Sequence, residues 1–469
     1  MLTGLRIRNF KAWRDTGEVP LAPLTVFFGA NSSGKSSLHQ LPMLLRQTVE
    51  SADRRRVLHT GDRHTPVDLG GFADLVRDPA EPLSFELGWR REEPLTVVDP
   101  GSRRALSGRD LRFGATISAD GGLPPRIAVD EYAYTLTGDD GAVSLGGRRT
   151  GPGDYTLTAA GMTLQPVPGR TGTVSPPGHF HAFPDDVTTH FAHLDFVPDL
   201  TYALEKQLTA LDYLGPLREP PGRLHRWSGE EVGGVGRRGE QAVEALLAGA
   251  GRRYGRTPDG PTAPLGAAVA RRLQTLGVID EFTVAPIAPG RDEYEVRVRT
   301  PDGTREVLLT DVGFGVSQVL PVVVECLYAP PGSTVIMEQP EIHLHPSVQS
   351  GLADVLIDAI GTYEEGRPRN VQLVVESHSE HLLRRLLRRI AEEAIDPATV
   401  ACYVVTPGRD GSRIEPLDVD AYGAVRNWPA DFFGDPAEDL VARSRSARQR
   451  RRRAEERRPA EEHRRVEER

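Results

Sequence analysis

The chain has 469 residues, with 57 Lys and Arg against 66 Asp and Glu and a net charge of −9. That length suits two or three domains, and an acidic body argues against a general nucleic-acid coat. Both cysteines, Cys326 and Cys402, sit inside apolar runs and read as buried thiols of a reducing compartment rather than a disulfide framework. No apolar stretch reaches membrane-spanning length, and Arg6, Arg8 and Lys11 interrupt the N-terminal segment where a leader core would lie. A cytoplasmic location without a membrane partner is therefore expected.

In chain order, Leu5 to Phe10 alternates apolar and polar residues and predicts a first strand. Leu24-Thr25-Val26-Phe27-Phe28 predicts a buried strand, followed by Gly29-Ala30-Asn31-Ser32-Ser33-Gly34-Lys35-Ser36. This octet matches the phosphate-loop pattern G-x-x-x-x-G-K-[ST] in full. Ser37 to Val49 then reads as a helix interrupted by Pro42. Strand, loop and helix together supply the context that the motif requires. Glycines let the backbone curl so that its N–H groups face an anion, and the helix N-terminus adds a positive dipole end. Lys35 can then reach the β- and γ-phosphates, and Ser36 can ligate Mg²⁺.

From Asp68 to Asp185, short alternating runs among Gly, Pro, Asp and Thr predict a twisted antiparallel sheet. Gly151 to Pro184 reads as loop and partly as disorder. Leu200–Leu211, Glu240–Leu247 and Pro264–Leu276 read as helices, Tyr213–Pro221 as a rigid extended connection, and Phe282–Val298 as a hairpin. Asp311 to Gln318 is a glycine-rich turn expected to open a helix at Val319. From Leu309 the order becomes strand–helix–strand, ending at Val405.

Thr334 to Met337 is a buried-strand run that ends in Glu338-Gln339-Pro340-Glu341. A carboxylate at such a strand end is where a nucleotide-hydrolysing fold holds Mg²⁺. Val371 to Val375 is a further buried strand, with Glu376-Ser377-His378-Ser379-Glu380 at its carboxyl end, where ligand-contacting residues of open α/β sheets cluster. His378 is placed there to meet the γ-phosphate, and Ser377 or Ser379 can also cap the next helix. His343 and His345, near Glu341, have a spacing that admits a metal site, although three clustered ligands are thin support for one. From Arg443 to Arg469, twelve Arg and six Glu give a net +6 and read as a solvated tail that could touch nucleic acid.

These motifs resemble the ATP-binding-cassette ATPases of the overcoming-lysogenization and RecF type, relatives of the chromosome-maintenance heads, and specifically a bacterial branch with its own C-terminal segment. Asn9, Phe10 and Lys11 look like the adenine-contacting turn, Gly29 to Ser37 the phosphate loop, and Gly313, Gly315, Ser317 and Gln318 a diverged signature turn. Glu338 to Pro346 is similar to the Walker B and D-loop run, and His378 to the switch histidine. The resemblance implies an α/β head with a mixed sheet, an inserted β-rich lobe and a helical subdomain. Its divisions would be 1–60 with 300–410 for the core, 61–200 for the lobe, 201–299 for the helical part, 411–440 for the family segment and 441–469 for the tail.

It further implies Mg·ATP bound between two heads, so that the signature turn meets the γ-phosphate only in trans, and hence a homodimer or higher oligomer. Ser36 and Glu338 would hold Mg²⁺. Lys35, Glu338, Gln339, Glu341 and His378 would carry hydrolysis. Gln339 stands where the common motif has a glutamate; glutamine orients a water but cannot accept its proton, so turnover is expected to be slow unless Glu341 points inward. Asp74 is a candidate for the glutamine that usually follows the first sheet. Expected roles are a sensor or regulator working with a separate effector, a nuclease or toxin, in antiphage defence; a DNA-gripping repair ATPase; or a nucleotide-gated scaffold. No E-plus-D-x-D cluster follows the motifs, and no heptad run separates them, which argues against an intrinsic nuclease and a long coiled-coil arm.

Overall fold

The computed structural model describes residues 1–122, 125–301, 303–428 and 441–452. Residues Met1–Arg426 form one compact unit and Asn427–Arg469 another. Of the second, the described part is Asn427, Trp428 and a helix over 441–452; the rest of the expected family segment and tail lies outside the described residues.

The first unit is α/β. Its main elements are β1 (Leu2–Phe10), β2 (Leu24–Gly29), α1 (Lys35–Val49), β3 (Leu83–Val98), β4 (Ala105–Ala119), β5 (Ile127–Gly138), β6 (Gly141–Gly151), β7 (Asp154–Ala160), α2 (Val197–Thr209), β8 (Leu211–Leu214), α3 (Ala242–Ala248), α4 (Leu265–Thr275), β9 (Glu281–Pro286), β10 (Glu293–Arg299), α5 (Phe314–Tyr328), β11 (Thr334–Glu338), α6 (Pro346–Ile360), β12 (Gln372–Ser377), α7 (Glu380–Ala391), β13 (Val400–Thr406) and β14 (Arg413–Pro416).

The head sheet runs β8-β11-β12-β2-β13-β14, parallel throughout except for the last pair. Parallel strands covered on both faces read as unbroken apolar runs, and β2, β11 and β12 are buried at every position. Phe27, Ile336, Val374 and Tyr403 join one continuous apolar cluster with α1, α2 and the lobe. Because side chains alternate, Val26, Val335 and Val375 face the other side, where α6 contacts β2 and β12 and packs on α7. Helix α7 is amphipathic: Leu382, Leu383, Leu386 and Ile390 are buried, and the Ser379 hydroxyl caps it by accepting from the Leu382 amide at 3.1 Å.

The lobe sheet is antiparallel, β7-β6-β5-β4-β3-β1, so β1 pairs with the lobe rather than with the head strands. On its inner face Phe85, Phe113 and Tyr134 meet Phe180 from a later loop in tilted and edge-to-face pairs, with ring centroids 4.7 to 6.2 Å apart.

Several expectations are corrected. The stretch Gly151 to Pro184 contains β7, with Tyr155 and Leu157 buried, and delivers Phe180 to the aromatic core; glycines and prolines masked that alternation. The α2 helix ends at Thr209, and Leu211–Leu214 is an edge strand of the head sheet, so the extended connection begins inside the core. Helix α5 starts at Phe314, ahead of the expected Val319 and inside the glycine-rich turn, and runs through Pro321 as α1 runs through Pro42. Asp74 accepts from the Gly71 amide and caps the turn Phe72–Leu75, while Gln47 is buried and fastens the loop at His59 and Val67. Cys326 and Cys402 are buried free thiols. Among the described residues, no helix is long and apolar enough to cross a membrane.

One pair of acids, Glu325 buried and Asp212 half-buried, lies in this core. Glu325 on α5 accepts from the Val235 amide at 3.1 Å and faces Asp212 of β8. Burial, then the Asp212 charge, push the Glu325 carboxyl up to about 8, and burial also raises Asp212. The native state therefore holds a proton that the unfolded chain releases near 4.5, and stability falls as pH rises from 4.5 through 8. Glu325→Gln keeps the acceptor and removes the charge. It is expected to match the wild type near pH 4.5 and to exceed it at pH 8 by about 2 to 4 kcal/mol, since each tenfold change in proton affinity corresponds to roughly 1.4 kcal/mol. Urea denaturation followed across that pH range checks this.

Candidate functional site

The site lies at the carboxyl ends of β2, β11 and β12. Gly29 and Gly34 bracket the loop for steric reasons. A Cβ on Gly29 would stand 2.4 Å from the Val405 carbonyl oxygen, and Gly34 adopts φ +101 with Ala12 and Ser412 against it. Trp13 Nε1 donates to the Gly34 carbonyl at 3.0 Å and holds the loop from outside. Helix α1 begins at Lys35 with no side-chain cap, so its first amides face the loop's concave side. A cavity of about 450 Å³ opens there. It is lined by Lys11 and Ala12, by Asn31, Ser32, Ser33, Gly34, Lys35, Ser36, Ser37 and Gln40, and on the opposite wall by Gln339, Glu376 and His378.

Glu376 organises the charge. Its Oε2 accepts from Ser36 Oγ at 2.9 Å, and its Oε1 stands 3.6 Å from Lys35 Nζ. Lys35 also donates to the carbonyls of Gly29 at 3.1 Å and Ala30 at 2.8 Å. Burial lowers the Lys35 ammonium and raises the Glu376 carboxyl, and each partner opposes the shift of the other. His39 behind them is held neutral, its value pushed down to about 3 by burial and then by Lys35.

The carboxylate beside Ser36 is thus that of Glu376 and not of Glu338. The sheet order is the reason: β12 lies between β2 and β11, so its last residues are nearer the loop. Glu338 is the register partner of Glu376 one strand further out, and its Oε1 accepts from Tyr213 Oη at 2.9 Å. Burial and then the Glu376 charge push Glu338 up to about 7. Glu376 is the residue that sequence reasoning left without a role; its signal was an acidic side chain closing an apolar strand.

Gln339 lines the cavity in the left-handed region at φ +45, with its amide nitrogen 3.2 Å from His378 Nε2. Burial, then the Lys35 charge, lower His378, so the ring is neutral near pH 7 and Nε2 accepts from the glutamine. Glu341 points away from the cavity. Its Oε1 accepts from Ser377 Oγ at 2.8 Å and from the His378 amide at 2.7 Å. His345 caps α6, accepting from the Ser347 amide, and so is turned to its own helix rather than to Glu341.

The adenine-turn residues divide. Lys11 reaches the cavity wall, whereas Phe10 is buried in the core, and the Asn9 side chain bonds Asp78, Glu81 and Pro82. Gly313, Gly315, Ser317 and Gln318 do not line the cavity; Ser317 and Gln318 are buried in the first turns of α5.

Residues 265–384 match a family described as AAA domain, putative AbiEii toxin, type IV toxin–antitoxin system, about a quarter of the chain, and the match includes Glu338, Gln339, Glu341 and His378. No curated protein sequence matches. Solved structures with a similar course include an SMC head bound to the C-winged helix domain of ScpA (10% identity, TM-score 0.43, 89% of this chain and 98% of that one). Also similar are the SMC head domain from Thermotoga maritima (14%, 0.39, 89% and 99%) and a Pyrococcus furiosus SMC head with an extended coiled coil bound to the C-terminal domain of ScpA (9%, 0.39, 89% and 96%). The phosphate loop and the AAA-domain match together support nucleotide binding by an α/β ATPase-type fold.

Glu376→Gln removes the charged oxygen beside Ser36. The expected outcome is a Mg²⁺-dependent ATP affinity at least about tenfold weaker, with Mg²⁺-free binding retained or improved, read by calorimetric titration with and without the metal.

Proposed function

We propose that this protein is a Mg·ATP-binding ATPase that dimerises on nucleotide and works as a sensor or regulator for a separate effector protein, a nuclease or toxin, in bacterial antiphage defence. The observation that carries the nucleotide part is the facing of Lys35 and Ser36 by Glu376, with Gln339 and His378 completing the cavity wall. The donor set fits Mg²⁺: the Ser36 hydroxyl and the Glu376 carboxylate are hard oxygens within hydrogen-bond distance of each other on the cavity wall. Mg²⁺ held there would neutralise charge on the β- and γ-phosphate oxygens.

The chain's own residues divide the remaining work. Loop amides and Lys35 bind phosphates. Gln339 orients a water through its amide and cannot take its proton. His378 Nε2 already accepts from the Gln339 amide, and the Glu376 carboxylate is engaged by Ser36 and Lys35, so neither stands free to take that proton. This favours slow turnover and a long-lived clamp whose state a partner reads. Gly313, Gly315, Ser317 and Gln318 would then serve the cavity of a second copy.

A second reading, an ATPase that grips DNA, rests on the exposed arginines of the helix over 441–452. A steep salt dependence of DNA binding that disappears on deleting residues 443–469 would favour it.

Light scattering with and without Mg·ATP, beside phosphate release, tests the main reading. Wild type is expected to gain mass with ATP and to release phosphate slowly, and Lys35→Ala to do neither; a mass indifferent to ATP would overturn dimerisation. Gln339→Glu puts a proton acceptor on the wall and is expected to speed single-turnover hydrolysis by about a hundredfold or more, the usual range for a general base.

A further inference from the structure

The connection from Tyr213 to Pro221 runs along the acidic side of the site and is tightly held. The Gly215 amide donates to the Arg237 carbonyl and the Glu219 amide to the Arg238 carbonyl, both at 2.8 Å, and Arg238 pairs with Glu219 at 2.9 Å. Gly239, at φ +75, lets the partner segment close on Pro321; a Cβ there would stand 2.5 Å from the proline Cβ. These contacts hold the segment that carries Arg218, whose guanidinium lies within electrostatic reach of Glu341 and Glu338.

Arg218 is only 6% exposed, and none of its three guanidinium nitrogens has a hydrogen-bond partner. Among the described residues it is the buried arginine whose whole fork is in that condition. Arg369, buried as deeply, donates to the carbonyls of Cys326 and Ala329 and to Glu364. A buried, unpaired guanidinium is unfavourable and persists where the fold over-determines it. Glu341 shows the complementary deficit: its Oε1 has two donors, while its Oε2 is buried and has none. Burial lowers Arg218 to about 10, opposed by the nearby carboxylates of Glu341 and Glu338.

We propose that Arg218 is a positioning residue of the hydrolytic site: its guanidinium takes Glu341 Oε2 when the site closes on nucleotide, and so fixes the His378 segment against the cavity. One rearrangement of a long side chain satisfies both groups. Glu341 Oε1 already holds the His378 amide, so locking its other oxygen sets the height of the imidazole on the wall. Tyr213, five residues earlier, acts on Glu338 in the same way through its 2.9 Å hydrogen bond. The connection thus governs both acidic side chains of the β11 end. This inference rests on the hydrolytic reading of the site.

The test uses the full chain as wild type, Arg218→Met, Arg218→Lys, Glu341→Gln and the double variant Arg218→Met/Glu341→Gln, each measured for Tm without nucleotide and for kcat and KM of Mg·ATP hydrolysis. Arg218→Met is expected to keep or raise the nucleotide-free Tm, because it removes an unpaired buried charge, and to lower kcat at least about tenfold with KM within about twofold. Arg218→Lys should fall between it and wild type, since one ammonium cannot reproduce the fork. The double variant should be no slower than the slower single one. A fall in nucleotide-free Tm, or loss of the fold, in Arg218→Met shows a structural role and overturns the proposal, as do losses that multiply in the double variant. An active wild type with Arg218→Met at full kcat overturns the role of Arg218 alone. A wild type that neither binds nor hydrolyses ATP overturns the nucleotide reading and this inference with it.

Discussion

Parallel pairing of β2, β11 and β12 is the constraint on which the site depends. In-register parallel strands end at one edge of a sheet, so the loop after Gly29 and the carboxylates of Glu338 and Glu376 are delivered together. No local contact could do this, because Ser36 and Glu376 are 340 residues apart in the chain. Each strand contributes fully buried side chains, and a shift by one residue would exchange the two buried faces and move Glu376 away from Ser36. The apolar runs that make the strands thereby also fix the geometry of the polar ends.

Those polar ends are kept at an energetic cost. Burial is the main reason that Glu338 and Glu376 both hold protons more tightly than usual, and at Glu338 the Glu376 charge adds to it. Lys35, Ser36 and Tyr213 compensate from three directions. A concentration of incompletely compensated charge at the end of a rigid sheet is the environment in which a cation and a phosphate chain gain most from binding. Glu325 and Asp212 repeat the theme deeper in the head, away from the cavity, and show that this fold tolerates buried acid where the surrounding packing is strong enough.

The lobe has a different logic. Its long antiparallel strands bury an aromatic face and continue the same apolar cluster as α1 and α2. Through β1 it is tied to the turn that carries Lys11 and Trp13, and Trp13 in turn holds the Gly34 carbonyl. Lobe and phosphate loop are therefore joined through β1 and Trp13.

Local sequence was enough to specify the phosphate loop, the buried strands on either side of it, the antiparallel lobe and the acidic strand end at Glu338. Those features rest on spacing, periodicity and the steric demands of Gly29 and Gly34. The same local signals put Gln339 and His378 at strand ends, where the structure has them. Tertiary structure was needed to settle which carboxylate meets Ser36, because that depends on strand order, and a residue at the end of β12 is no more acidic in sequence than one at the end of β11. It likewise settled that Asn9 and Phe10 serve packing while Lys11 reaches the cavity, that Glu341 turns to the His378 amide, and that Tyr213 and Arg218 stand behind the site. Those outcomes follow from long-range register and from which buried polar atoms find partners, and neither quantity is written in any short stretch of chain.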